Sequence, residues 1–506
     1  MANNLEQMLT SIQNLYQMGK LEEAVLACRQ LVKKHPRKAE PCVLLAKLEQ
    51  SSGRVDAMFE ALSLACKRSP KEVALKEMRA DACMQNQKFA LAASIYRGML
   101  TLNPQNPNLK MRLAAALQEL PNGIDEAIKL HRQLVNLAPK EAYVHYNLGT
   151  ALKRKHDFKQ ALRCYQEAVN LAPKDVHLQM TLANLLFELK NFESAVDALN
   201  AVLALNPSQA DALERLSYSY KMLLKPDASE QAAKELVTLV GEDVSTLSYL
   251  SSAQIAAGNY QAALHSCNRG LDIVPSNRKL LADKIIAISG TKDTATAAKL
   301  LNLDQLLQVS TIEVPEGYSS SHDFNLDLVA LIDKHPTLDF SGSSHSCHGG
   351  ATSNEVFNGN STVLNYLLAA INKAVSSYRD SLSKKSEHPW LTNLPAQTQL
   401  NISGWVNRLK SQGYLHSHIH PTGWISGVYY VSLPPESGDE KNAGCIEFGR
   451  APFFYPEGDQ GQIKVVTPVE GTLVLFPSYF YHRTVPFCSS SERITLAFDF
   501  RLDNLL

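Results

Sequence analysis

No run in this 506-residue chain approaches the ~20 consecutive apolar residues that a membrane span requires. Neither sign of charge is in excess. Lys plus Arg and Asp plus Glu each total 50, so nothing invites nucleic acid or an acidic membrane surface as partner. The opening residues, Met1 to Thr10, have neither the basic flank nor the apolar stretch of a signal peptide. Cysteine is sparse, with nine residues, odd in number and scattered. Six of them (Cys28, Cys42, Cys66, Cys83, Cys164 and Cys267) fall in helical patterns, which suits reduced core thiols in a cytoplasmic protein and excludes a disulfide frame. Also missing are a P-loop, a dinucleotide fingerprint after a strand and a Gly-x-Ser-x-Gly elbow. The length leaves room for two or three domains with ample core.

The first half of the chain is periodic. Prolines stand at 36, 70, 104, 139, 173, 207 and 275, with gaps of 34, 34, 35, 34, 34 and 68, and Gly241 fills the midpoint of the long gap. Twelve residues before these anchors stand Ala24, Met58, Ala92, Ala127, Ala161, Ala195, Ser229 and Ala263. A helix-ending proline with a small residue where paired helices touch, repeated every 34 residues, resembles the tetratricopeptide repeat. The unit from Tyr146 through Phe158, Ala161, Tyr165 and Ala168 to Pro173 carries the resemblance best. The one extra residue, between Pro104 and Pro139, is expected near the turn Pro121-Asn-Gly123. The resemblance implies an array of about eight units over residues 1–285, wound as a superhelix, with a protein or peptide as the expected partner in its groove. An array of this kind offers no catalytic residue of its own.

Beyond Ile286 the period fades. Gly290 to Asn302 reads as a helix capping the array, and residues 286–312 as cap plus linker, with an extended connection beginning at Ile312. Residues 313–506 form the second domain. A short helix is expected over 323–335 and a longer one over 363–383, separated by a Gly-, Ser- and Asn-rich loop from Asp339 to Ser361. Short β-runs follow at 399–408, 425–433, 444–448, 463–467, 471–476 and 493–501, the pattern of a sandwich or jelly roll. The fold class is therefore an all-α repeat array followed by an α+β domain with a jelly-roll core.

Within that domain His416, His418 and His420 alternate just before a β-run, so an extended backbone turns all three toward one surface. A further histidine, His482, closes the run Gly471 to His482, and Arg493 opens the last strand. That strand alternates cleanly: Arg493, Thr495, Ala497 and Asp499 on one face, Ile494, Leu496, Phe498 and Phe500 on the other. Packing the apolar face on helices turns the polar face inward, and an arginine there must meet an anion, either a ligand or an acid such as Glu447. Clustered histidines with a nearby arginine point to a metal that works on an anionic co-substrate. The spacing alone fits His416 with His418 or His418 with His420; Pro421, ending the strand at a barrel rim, favours the second pair. His345-Ser-Cys-His348 offers too few ligands for a structural zinc and reads as a loop. Trp405, Trp424, Tyr479 and Tyr481 are expected in barrel packing.

His-x-His, His482 and Arg493, set within Ser426-Gly-Val-Tyr-Tyr-Val431, Val466 to His482 and Glu492 to Phe498, resemble the Fe(II)/2-oxoglutarate oxygenases related to prolyl 4-hydroxylase. The detailed match spans about 399–502. It implies a double-stranded β-helix, Fe(II) held by His418 and His482, and 2-oxoglutarate held through its C5 carboxylate by Arg493, with Thr495 and Tyr429 or Tyr430 assisting. It further implies a dioxygenase of the hydroxylase type with a polypeptide substrate. One departure stands out: the aspartate of the family's His-x-Asp motif falls on His420, which would make the metal set His418, His420 and His482. Two rival readings follow from that departure. One is a repeat scaffold with a degenerate barrel; the other is a cupin-like metalloenzyme with three histidines and no 2-oxoglutarate.

Overall fold

The computed structural model describes residues 2–335, 337–338, 347–353, 355–357, 361–383, 388, 390–391, 400–434, 441–456 and 462–502. The molecule divides into two compact units, Met1–Asn191 and Phe192–Leu506.

Helix pairs of tetratricopeptide type build the first unit and open the second. Representative pairs are Glu40–Ser51 with Val55–Arg68 and Ala142–Arg154 with Phe158–Leu171 in the first unit. In the second they are Ala210–Met222 with Pro226–Val240 and Val244–Ala256 with Tyr260–Ile273. The small residue marked by the period is buried in every repeat. Ala24, Ala92, Ala127, Ala161, Ala195, Ser229 and Ala263 are fully enclosed, and Met58 nearly so. Seven of the eight slots hold a residue small enough for the two helices of a pair to approach closely, and Met58 fills the eighth without parting its pair. Ser229, the polar exception, is hydrogen-bonded to the Ser217 carbonyl at 2.8 Å, so its hydroxyl is satisfied inside the pair. Six of the anchor prolines stand two residues past a helix end and Pro104 four past, where the missing N–H costs nothing. Gly241 replaces the proline with φ 96°, a backbone angle other residues adopt only under strain.

The turns inside the pairs share one device. A single left-handed residue makes the turn at Gly19, Gly53, Gln87, His156, Lys190, Leu224, Gly258 and Lys292, with φ between 54° and 77°. The exception lies in the unit that contains the extra residue. There the connection runs from 119 to 123, between helices Pro107–Gln118 and Ile124–Leu137, and a Cβ on Gly123 would collide with the Leu117 carbonyl. The insertion therefore falls in the turn Pro121-Asn-Gly123, as the sequence suggests.

The second unit continues through a cap helix, Thr294–Leu301, into two antiparallel sheets. In chain order the strands are β1 (Gln308–Thr311), β2 (Cys347–Thr352), β3 (Leu400–Leu415), β4 (Ile425–Ser432), β5 (Ile446–Phe448), β6 (Lys464–Val466), β7 (Thr472–Pro477), β8 (His482–Thr484) and β9 (Arg493–Leu502). The large sheet has the order β1-β7-β4-β9-β3-β2 and the small one β6-β5-β8. This is the jelly-roll arrangement expected from the sequence, with helices Ser321–Ile332 and Thr362–Ser383 close to their expected spans. Four strands differ from expectation, β3 by running on to Leu415. β1 and β8 are too short to show a period, and β2 lies inside the segment read as a loop. There, polar Cys347 to Thr352 become a strand because β3 supplies the partner, with His348 opposite Tyr414 and Ala351 opposite Arg408. His345 lies outside the described residues.

The outer face of the large sheet is apolar. Leu473, Leu475, Leu496 and Phe498 share a core with Phe324, Leu328, Leu367, Ile371 and Tyr378 of the two helices. That core does not stop at the sheet domain: it also takes in Ile255, Ala263, Leu281 and Ala287 from the last helix pairs and Leu301, Leu303 and Leu306 from the cap. A buried polar chain accompanies it. Lys221 donates to Ser252 at 2.7 Å, Ser252 lies 2.8 Å from the Tyr455 hydroxyl, and Tyr455 donates to Asp283 at 3.1 Å. Among the described residues no helix is long and apolar enough to cross a membrane.

Candidate metal centre

β9 is the central element of the site. It lies between β3 and β4, so its register fixes which side chains face the sandwich interior. Arg493, Thr495 and Asp499 are almost completely buried there and line a cavity of about 580 Å³, while Ile494, Leu496, Phe498 and Phe500 enter the core on the other face.

The histidines reach the same cavity from the opposite side. His418 and His482 form an isolated antiparallel bridge, with His418 N donating to His482 O at 3.1 Å and His482 N to His418 O at 3.0 Å. His420 N donates to Ser478 O at 3.0 Å, so its backbone too is held, two residues off the register of the 418–482 bridge. Backbone pairing therefore holds three imidazoles at one place. His418, His420 and His482 each offer a ring nitrogen within 4.8 Å of the others, the one such histidine group among the described residues. His416 is not in it and packs against the rings of Tyr414 and Phe453.

The hydrogen bonds on the far side of each ring decide the tautomers. His418 Nδ1 lies 2.7 Å from the His416 carbonyl and His482 Nδ1 lies 2.9 Å from the Phe480 carbonyl. A carbonyl only accepts, so both Nδ1 atoms carry the hydrogen and both Nε2 atoms present lone pairs. His420 Nδ1 lies 2.6 Å from Asp499 Oδ1 and donates in the same way. His418 and His420 then face each other through bare Nε2 atoms 3.2 Å apart. Two ligands at right angles on one metal, each at about 2.1 Å, would be about 3 Å apart. Burial, with His420 beside it, pushes the His418 imidazole down to about 4, and burial together with His418 and His420 holds His482 well below the usual range. Neutral, converging Nε2 lone pairs are the donor set a divalent transition metal takes.

Arg493 supplies the other half of the site. Its guanidinium sits over the Tyr430 ring, 5.1 Å from the centroid, and its buried Nε has no hydrogen-bond partner. Glu447, the acid that could have paired with it, is engaged elsewhere. Burial alone would raise the Glu447 carboxyl, but hydrogen bonds from Arg450 and Arg483 hold it below the ordinary carboxylate range. A carboxylate ligand entering the cavity would give the unpartnered Nε a charged acceptor. Thr495 lines the same cavity beside it. The tyrosines separate. Tyr430 stands beneath Arg493, whereas Tyr429 points the other way and donates to Asn325 on the Ser321–Ile332 helix at 2.8 Å.

Other residues on the cavity wall escaped the sequence reading. Glu355 accepts from Gly404 N through both carboxylate oxygens at 3.0 Å, and Ser426 bonds Asp499 at 2.6 Å. Asp499 had a visible signal, its place on the polar face of β9; Glu355, in an irregular segment, had none. Of the aromatics expected in packing, Trp424 stacks on Trp390 at 4.3 Å and Tyr479 joins them. Trp405 instead lies against His420, 5.4 Å between ring centroids, and lines the cavity.

Comparison with known proteins places these features among relatives. Residues 403–499 match the family model described as "Putative 2OG-Fe(II) oxygenase", and residues 144–268 match that of the fourth ARM domain of tetratricopeptide repeat protein 21. No curated protein matches the sequence. Solved structures similar to the chain include a crystal structure of MamA, 18% identical with a TM-score of 0.30 over 32% of this chain and 93% of that one. Another is the C-terminal part of a TPR repeat-containing protein from Cytophaga hutchinsonii, 14% identical with a TM-score of 0.39 over 48% of this chain and 99% of that one. A tetratricopeptide repeat protein from Parabacteroides merdae is 14% identical, with a TM-score of 0.34 over 49% and 98%. The chain thus joins repeats of tetratricopeptide type to a jelly-roll domain that matches the 2OG-Fe(II) oxygenase family model.

Proposed function

We propose that this chain is an Fe(II)- and 2-oxoglutarate-dependent dioxygenase that hydroxylates a protein or peptide substrate brought to it by the repeat array. The observation that carries the reading is the pairing, in one cavity, of three converging imidazole Nε2 atoms with a buried arginine whose Nε has no partner. His418, His420 and His482 would hold the metal, and Arg493 with Thr495 would hold the distal carboxylate of 2-oxoglutarate. Bound iron would supply the oxygen-activating chemistry, at the expense of decarboxylating the 2-oxoacid to succinate.

The chain's own contribution is orientation and exclusion of water. The carbonyls of His416 and Phe480 lock two imidazoles in the tautomer that leaves Nε2 open. The Tyr430 face under Arg493 restricts the guanidinium to one approach, so a dicarboxylate would enter with a defined end inward. Trp405 at the cavity wall shields His420 from solvent. The repeat array fits a polypeptide partner, and the nearly neutral charge balance argues for recognition by shape and hydrogen bonding over electrostatic steering.

The test is succinate release from 2-oxoglutarate by purified full-length protein reloaded with Fe(II), alongside metal analysis. Turnover that disappears in His418→Ala and in His482→Ala supports the reading. A wild-type protein that takes up no metal and releases no succinate points to a scaffold. Metal uptake without 2-oxoglutarate binding points to a three-histidine metalloenzyme of another kind.

A further inference from the structure

We propose that Asp499 supplies, through His420, the negative charge that a carboxylate ligand would otherwise give this metal centre. The inference rests on the metal reading of the site and concerns how a set of three neutral imidazoles is made adequate for a divalent cation.

Three features of the site carry it. First, Asp499 bonds to the ring nitrogen of His420 that faces away from the other histidines, at 2.6 Å, so it acts on the ligand without occupying a ligand position. Second, the carboxylate is held in place. It is buried, accepts the Ser426 hydroxyl at 2.6 Å, stands in register with Ser426 on β4 and Ser403 on β3, and packs so closely on Gly423 that a Cβ there would come within 3.0 Å of its carboxyl carbon. Third, its charge has no other counterpart: among the described residues its one ion-pair partner is His420. A buried carboxylate without a fixed positive partner is costly, and a divalent cation on the far nitrogen of the same ring offsets that cost directly.

The arrangement differs in kind from those of His418 and His482, whose Nδ1 hydrogens go to backbone carbonyls. A carbonyl orients a ring; a carboxylate also draws its N–H proton and makes Nε2 a stronger donor. His420 is thus the one ligand of the three whose ring is backed by a carboxylate, at the position where the sequence motif of the related oxygenases has an aspartate. The carboxylate has moved one imidazole outward. Asp499 is a positioning residue, since it acts on the metal through His420.

The experiment uses full-length protein stripped by chelator and titrated with Co(II), whose visible absorption reports both affinity and ligand field. Asp499→Asn, nearly isosteric, is expected to weaken Co(II) binding by roughly 10–100-fold and to shift the absorption band. The double variant His420→Asp/Asp499→Asn, which returns the charge to the metal itself, is expected to recover binding to within about tenfold of wild type, a rescue that loss of packing would not produce. Wild-type affinity and an unshifted band in Asp499→Asn would overturn the inference, and so would a double variant no tighter than the single one. Should wild-type protein itself take up no Co(II), the metal reading beneath the inference fails with it; binding by wild type and Asp499→Asn alike removes the inference alone.

Discussion

A guanidinium at 1% exposure, with one N–H unpartnered, is a standing cost of several kcal/mol unless an anion meets it. Arg493→Ala is therefore expected to leave metal uptake intact while raising the 2-oxoglutarate concentration for half-maximal succinate release by roughly 10–100-fold, the value of one lost charged hydrogen-bonding group. Arg493→Lys should fall between the two, since an ammonium keeps the charge without the planar fork. Equal co-substrate dependence in wild type and Arg493→Ala would remove the arginine from the site. At this scale much was legible. Strict alternation from Arg493 to Phe500 announced one inward face, and backbone pairing kept that promise. The choice between His416 and His420 was open, because period two treats them alike. What separates them is non-local: His420 is held by Ser478 O and Asp499, whereas His416 meets the Phe453 ring. The Asp499–His420 bond spans 79 residues, and no local pattern encodes a distance of that kind.

Elements show a different balance between local and tertiary control. The helix pairs are legible because a small residue recurs every 34 residues where two helices cross, and Ala161 and Ala195 are fully enclosed there. The turns inside the pairs need a left-handed residue, and the chain supplies glycine at 53 and 258 but leucine at 224, with φ 54° and its side chain largely exposed. A leucine in that conformation is strained, and its side chain gains little by packing there. Leu224→Gly should accordingly stabilise the protein by about 0.5–1 kcal/mol, after allowing for the greater freedom of glycine in the unfolded chain. Gly258→Ala should destabilise it by a similar amount. The comparison is of thermal unfolding midpoints, and a lower midpoint for Leu224→Gly would refute the strain. Strands were harder to read. β2 is Cys-His-Gly-Gly-Ala-Thr, with no apolar alternation, and exists because β3 offers an edge; β8 is three residues long and defined by its pairing with β5. β3 itself runs to Leu415, past its expected end, through polar Lys410 to Gln412.

On the scale of the whole molecule, the period of the sequence and the packing of the structure draw the boundary differently. The repeat signature runs to about residue 285, yet the chain divides into its compact units between 191 and 192, and the core under the large sheet includes Ile255, Ala263 and Leu281. A period reports which helices share a design; it does not report which helices share a core. A fragment of residues 192–506 is expected to be soluble and to bind Co(II), whereas residues 313–506, cut where the sequence domain begins, should aggregate with the apolar face beside Leu301 and Leu306 uncovered. Soluble, metal-binding 313–506 would show that the sheet domain carries its own complete core. The shared core also bears on how such a chain can diversify. Repeats ahead of residue 191 can be exchanged, lengthened or shortened without cutting through the apolar packing beneath the barrel. The helices that supply Ile255 to Leu306 pack into the barrel's own core, so a change there would have to be matched by a change in the barrel.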